Sequence, residues 1–334
     1  MIQVHLTEIF AEPSVYAGQL GRISMLLGGP PVAPVFMVIL GYFLGVTRRS
    51  FSGLIVRGGG LLMIAVLLNT GLNFHLLLKI HDGTFRLNPW EYLLGVDILF
   101  LASLSIILLA VLRPVFRKYK IASVLAALLV ILFSPTITSL LTVNSPSRYA
   151  LAFVAGNYAW SYFPLFPWLS YPLLGFAFSL FRQKFAAREY HKMMRLIGLF
   201  IVASAIAITA KYALGVSSDL ETYYHHGPQF LIWIVLFLGF WLTALSLLHK
   251  DLGETTLFRY LKWLGKNVLS VYAIQWLIIG NLGTLLYKTQ SLPQLMVWYL
   301  LVIIAVSAVV FFLLKFADEW KNWRHLASKK AGTL

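Results

Sequence analysis

The chain has 334 residues, of which 59% are hydrophobic and 12% charged; its net charge is +15 and it contains no cysteine. A soluble globular protein holds roughly 45–50% apolar and about 25% charged residues, so composition argues against a soluble enzyme and a disordered chain. The missing cysteine excludes disulfides, Cys-ligated zinc and a thiol nucleophile. An all-α, polytopic integral membrane helical bundle fits instead.

Residues 1–10 are apolar but cover only about 15 Å as a helix. They lack a basic n-region and so are not a signal peptide. They read either as a half-helix or, the expectation favoured here, as the end of a first span whose start is assigned too late. Gly28-Gly-Pro-Pro31 reads as a turn. Nine runs long enough to cross a bilayer follow, at about 31–46, 54–78, 92–112, 121–143, 162–181, 194–214, 229–249, 267–287 and 295–316. With the N-terminal run this predicts about ten transmembrane helices in one domain over 1–334, with no sizeable soluble domain. Gly58-Gly-Gly60 opens a span and has no phosphate-binding context. The stretch Tyr162-Phe-Pro-Leu-Phe-Pro-Trp-Leu-Ser-Tyr-Pro-Leu-Leu-Gly175 carries three prolines, which free backbone carbonyls within a helix. Such backbone must be buried or line a cavity, so a bent, cavity-lining helix is expected, although its aromatic residues also suit an interfacial belt. Gly227-Pro228 marks the turn into the next helix.

Basic residues alternate between the connections. Twenty-one of the 27 fall on one side, in the groups Arg48–Arg57, Arg113–Lys120, Arg182–Arg195, Lys250–Lys266 and Lys315–Lys330. The six on the other side are Arg22, Lys79, Arg86, Arg148, Lys211 and Lys288. The positive-inside rule makes the first side, with the C-terminus, cytoplasmic. The +15 is therefore mainly topology, and nucleic acid is not an expected partner.

This orientation gathers the chemistry-bearing groups at the outer face. His5 sits in an apolar setting, where an ionisable group is a functional candidate, and imidazole suits general-base work near neutral pH. Glu8, three residues on, shares its helical face and could orient it; a headgroup-level histidine is the plainer reading. Asn69 and Asn73 lie one turn apart, with His75 following, and could hydrogen-bond an acceptor hydroxyl or a carbonyl oxygen, or simply join helices. Asp97, flanked by apolar residues, needs a partner or serves as a helix N-terminal charge. Tyr162, Trp168, His225 and His226 fall on the outer side as candidate substrate contacts. His225 and His226 point apart as neighbours, so no metal site is expected. There is no Walker A loop, no Gly-x-Ser-x-Gly elbow and no His-Glu-x-x-His.

Three segments resemble one family. Pro34-Val-Phe-Met-Val-Ile-Leu-Gly-Tyr-Phe-Leu-Gly45 resembles the second helix of transmembrane acyltransferases. The Phe-Pro-Leu-Phe-Pro-Trp-Leu stretch ending at Gly175 is similar to a signature of their heparan-α-glucosaminide N-acetyltransferase-like branch. Trp263-Leu-Gly-Lys-Asn-Val-Leu-Ser-Val-Tyr272 looks like that family's late helix start. Met-Ile-Gln-Val-His5 looks like the end of a first helix that in such families begins with Arg-Gly. The resemblance implies transfer of an acyl group, usually acetyl from acetyl-CoA, across the membrane to a sugar or glycan amine or hydroxyl. Arg48, Arg49, Arg57, Arg117, Lys118, Lys266 and Asn267 would then serve the CoA side. His5, Glu8, Asn73, His75 and Asp97 would serve the catalytic side. The expected setting is a bacterial inner membrane, with membrane lipid and a glycan acceptor as partners, and a homodimer is compatible with it. A proton-coupled secondary transporter is the competing reading. It requires charges near several span midplanes, whereas most ionisable groups here sit at helix ends.

Overall fold

In a computed structural model, the backbone is described for residues 1–186 and 192–331, and side chains for 1–182, 197–249 and 252–320. Of the basic residues counted above, Lys184, Arg188, Lys192, Arg195, Lys250, Lys321, Arg324, Lys329 and Lys330 have side chains outside those ranges. The protein is an all-α polytopic membrane protein, with no strand among the described residues.

The helices run α1 (Ile2–Phe10), α2 (Pro13–Ala17), α3 (Gln19–Gly28), α4 (Ala33–Val46), α5 (Phe51–Leu72), α6 (Phe74–His81), α7 (Pro89–Leu93), α8 (Ile98–Lys118), α9 (Lys120–Leu141) and α10 (Arg148–Leu151). They continue with α11 (Leu165–Trp168), α12 (Ser170–Ala186), α13 (Lys192–Ile208), α14 (Ala210–Ser218), α15 (Leu220–Tyr224), α16 (Pro228–Leu252), α17 (Thr256–Lys266), α18 (Val268–Leu286) and α19 (Leu292–Ala331). Among the described residues seven stretches are long and apolar enough to cross a membrane, or eight if α13 and α14, bent by 58°, form one span.

The hydropathy runs map onto these elements with instructive departures. The run at 54–78 divides at Asn73 between α5 and α6. The run at 92–112 starts late: α7 ends at Leu93, and α8 begins only after Asp97, whose Oδ1 accepts from the N–H groups of Leu99 (2.7 Å) and Phe100 (3.3 Å). This is an N-cap, which satisfies two of the donors every helix start leaves free. Gly58-Gly-Gly60 lies inside α5 rather than at its opening. Gly227 and Pro228 do open α16.

The proline stretch yields two pieces, α11 and α12, and α11 is itself kinked at the non-helical Phe166. Within the stretch, Tyr162 and Phe163, which precede α11, line the cavity at the N-terminal end of α8 while α11 and α12 do not, which corrects the expected cavity-lining helix. Trp168, Tyr171 and Phe176 are instead fully buried. Their helix packs closely on α4: a side chain at Gly41 would collide with the Pro172 carbonyl, and one at Gly175 with the Val38 carbonyl. Small residues let backbones approach in membranes, where packing drives helix association.

The N-terminal α1 packs against α3, α18 and α19. Its end is tied to the α18–α19 connection by Lys288 N–H to Ile9 O (2.9 Å) and Gln290 N–H to Phe10 O (2.8 Å).

Candidate active site

Two cavities lie at opposite ends of α8. One, of about 890 Å³, is lined by Thr47, Arg48, Arg49, Arg113 and Arg117 with apolar neighbours from α4, α5 and α8. Arg113 fixes its shape by donating to the carbonyls of Thr47 and Arg49, and Arg117 donates to the Gly45 carbonyl at 3.4 Å. Of the residues expected on the CoA side, Arg48, Arg49 and Arg117 come together here. Arg57 and Lys118 are exposed elsewhere, Lys118 over the Tyr119 ring, and Lys266 is exposed at the end of α17. Asn267 uses its amide to cap α17 through the Trp263 carbonyl (2.9 Å). These four are not brought to the basic cavity. Arg113, whose side chain shapes it, stood out in the sequence only as part of a basic run.

The other cavity, about 910 Å³, is lined by His5, Glu8, Asn73, Asp97 and Tyr162 together with an aromatic wall including Tyr223, Tyr224, Tyr272 and Trp276. Sixteen residues of α8 separate Asp97 from Arg113, about 24 Å at 1.5 Å per residue. Within it, His5 Nδ1 lies 3.6 Å from Glu8 Oε2, as their helical spacing predicts. The His5 ring lies against Trp276, with centroids 4.2 Å apart. Four of the five residues expected on the catalytic side therefore line one cavity.

Their individual bonds differ in kind. Asp97 caps α8 through Oδ1, and its Oδ2 accepts from the Tyr272 hydroxyl at 3.1 Å. Asn69 donates to the carbonyls of Leu93 (3.1 Å) and Gly95 (2.7 Å), and Asn73 to those of Asn69 (3.0 Å) and Tyr92 (3.1 Å). The amides thus pin the α7–α8 connection down into the bundle. His75 is outside the cavity: its backbone N–H donates to Asn281 Oδ1 (2.9 Å), and its ring nitrogen lies 3.4 Å from the Asn281 carbonyl.

On the far wall, Trp168 donates its indole N–H to the Tyr224 carbonyl (2.8 Å) beneath the cavity surface. His226 is 1% exposed, held between the Tyr171 hydroxyl (2.7 Å at Nε2) and the Tyr223 carbonyl (2.8 Å at Nδ1). Burial pushes His226 down to about 4, so it is neutral near pH 7. Burial also lowers His225, which is part-buried with an unpartnered Nδ1. Trp168, His225 and His226 do not line the cavity; Tyr162 does. No group of three His, Cys, Asp or Glu residues suited to a metal ion occurs among the described residues.

A family model described as "Acyltransferase domain" matches residues 1–316 of this chain. Comparison with curated proteins and with solved structures gives no match.

Proposed function

We propose, for a chain that belongs to this acyltransferase family and is thus a membrane acyltransferase, that it carries acetyl from cytoplasmic acetyl-CoA to a sugar or glycan amine or hydroxyl on the far side of a bacterial inner membrane. The resemblance to the heparan-α-glucosaminide N-acetyltransferase-like branch supplies the functional analogy. The observation that carries the reading is the pairing of two chemically opposite cavities on one helix, an arginine-lined one and one containing the His5–Glu8 pair.

The positive-inside rule puts the arginine cavity and the C-terminus in the cytoplasm. Arg48, Arg49 and Arg117 present guanidinium groups there, the donors best matched to phosphate oxygens. Arg113 holds the Thr47–Arg49 backbone in place. In the outer cavity His5 takes the proton of the acceptor as that group attacks the thioester carbonyl. The carbon–sulfur bond breaks and the thiolate leaves with the coenzyme. Glu8 orients the imidazole and stabilises its protonated form. Asp97 and Asn73 hold the cavity floor through the α8 N-terminus and the 92–95 connection. Asp97 is committed as a cap and to Tyr272, a helix-start role rather than the free mid-span charge that the transporter reading requires.

The test uses proteoliposomes with acetyl-CoA on the arginine side and a panel of glycans on the other. Acetylated glycan is the expected product. Folded protein that shows no transfer and does not bind acetyl-CoA overturns the reading.

A further inference from the structure

The wall of the outer cavity opposite α1 contains hydrogen-bonding groups that the acyl-transfer chemistry leaves unused. Ser217, at the end of α14, is 2% exposed, and Tyr223, in α15, is 5% exposed; both line the cavity, and neither hydroxyl has a partner. A buried hydroxyl without a partner has given up its hydrogen bonds to water and gained none in return, so two on one wall call for an occupant that bonds them. The Tyr223 ring tip abuts Gly29, where a Cβ would come within 3.1 Å of Cζ. The hydroxyl is thereby held at the cavity wall between α3 and α15. Tyr162 and Tyr224 stand beside it, their rings 5.3 Å apart in an edge-to-face pair.

The cavity's charge is an independent observation. In a chain of net charge +15, its lining includes Glu8, Glu91, Asp97, Asp219 and Glu221 against one lysine, Lys288. Glu91 lies 4.0 Å from Arg148 and accepts from the Asn88 amide. Asp219 and Glu221, exposed at the rim, accept from the Thr222 hydroxyl and the Asn157 amide, which are neutral donors. A cleft of one sign repels ligands of the same sign before contact.

We propose that the α14–α15 wall is the acceptor subsite, where Ser217 and Tyr223 hydrogen-bond a sugar ring, and that Asp219 and Glu221 make the rim select neutral or cationic sugars and reject anionic ones. The proposal rests on the reading that the outer cavity receives the acceptor. Aromatic faces flanking two hydroxyl donors match a polyol with apolar ring faces. The rim carboxylates exclude uronate-rich or phosphorylated glycans by charge.

The experiment measures binding of three oligosaccharides to the full chain in nanodiscs by titration calorimetry: oligomers of N-acetylglucosamine, of glucosamine and of galacturonic acid. The neutral and cationic oligomers bind, and the anionic one binds at least about ten-fold more weakly at low salt, with the gap shrinking as salt screens the rim. Ser217→Ala and Tyr223→Phe, which keep shape and fold, each weaken the neutral oligomer by about three- to ten-fold, the effect of one lost hydrogen bond. Asp219→Asn with Glu221→Gln narrows the neutral-to-anionic gap. Equal or tighter binding of the anionic oligomer, unchanged affinity in both hydroxyl variants, or no binding of any oligomer overturns the proposal. Acetyl transfer run in parallel separates the two ideas. Binding as expected without transfer to any sugar counts against the acetyl-transfer reading alone. Transfer with an unchanged acceptor KM in both hydroxyl variants counts against this subsite alone.

Discussion

The two ends of α8 show how one helix can serve two chemistries. Its N-terminus is capped by a carboxylate, Asp97, and its last turns carry Arg113, Arg117 and Lys118. Both placements are what a helix dipole favours, negative at the start and positive at the end. The cavities at those ends extend the same polarity: arginines with no carboxylate at one, five carboxylates with a single lysine at the other. They differ also in construction. The basic cavity is walled by the long helices α4, α5 and α8 around one short connection, 47–49, whereas the other is roofed by short helices and turns, α2, α7 and α15 among them. Regular helices leave room for a flexible, phosphate-bearing donor at their ends. Broken backbone deep in the bundle must be satisfied internally, and the amides of Asn69 and Asn73 do this for the carbonyls of 92–95.

The contrast is broken outright if both cavities face the same side. With no native cysteine, Asp219→Cys and Arg48→Cys each provide a unique thiol. An impermeant maleimide added to right-side-out vesicles should label the first and leave the second unlabelled until the membrane is opened. Next in size is the base. His5→Ala should lower acetyl transfer by about 10²–10⁴-fold while donor binding by calorimetry stays near wild type, and His75→Ala, outside the cavity, should change transfer little. A dead His75 variant beside an active His5 variant would move the base.

A smaller effect is expected at the other end. Arg48→Gln with Arg49→Gln should raise the donor KM by roughly ten-fold and flatten its salt dependence, with the acceptor KM unchanged; an equal rise in both constants would show that the two cavities are not functionally separate. The smallest effect concerns the buried histidine behind the acceptor wall. His226 is held at about 4 against an unfolded value near 6.5, so the unfolded chain binds the extra proton between those values. Its contribution to stability is intact above pH 6.5 and is lost as pH falls toward 4. Thermal midpoints across that range should fall less in His226→Gln than in wild type. Tyr171→Phe, which leaves Nε2 unpaired, should cost about 1–3 kcal/mol at neutral pH.

Much of the architecture was legible because hydropathy over about 20 residues has few other meanings. α9, α16 and α18 sit close to their apolar runs. The errors share one physical cause. A window of apolar residues does not register where the backbone stops being helical, so the run at 92–112 swallowed the cap at Asp97, although an acid before an apolar run is a start signal in its own right. The prolines at 164, 167 and 172 announced a break, but not that the aromatic residues around it would pack into the core. The pairing of His5 with Glu8 is local, three residues along one helix, and so could be read directly. Ser217, Tyr223 and Arg113 owe their positions to contacts with α3 and with the 47–49 connection, and nothing in their neighbours' identities marks them. His225 and His226 are indistinguishable as a dipeptide; burial, the Tyr223 carbonyl and the Tyr171 hydroxyl, 55 residues from His226, separate them.

The stacking of two vestibules on one helix has an electrical consequence. With the two cavities opening to opposite faces, as the proposed topology has it, the transmembrane voltage falls mainly across the packed protein between them, around α8. Under the proposed reaction a proton leaves the acceptor at His5, and a thiolate is formed for the side lined by arginine. If that proton exits outward and the thiolate is reprotonated from the cytoplasm, each turnover moves one positive charge out against an interior-negative potential, at a cost of about 2.3 kcal/mol per 100 mV. On that route the enzyme behaves as a current source, and sugar modification slows as the membrane becomes more polarised.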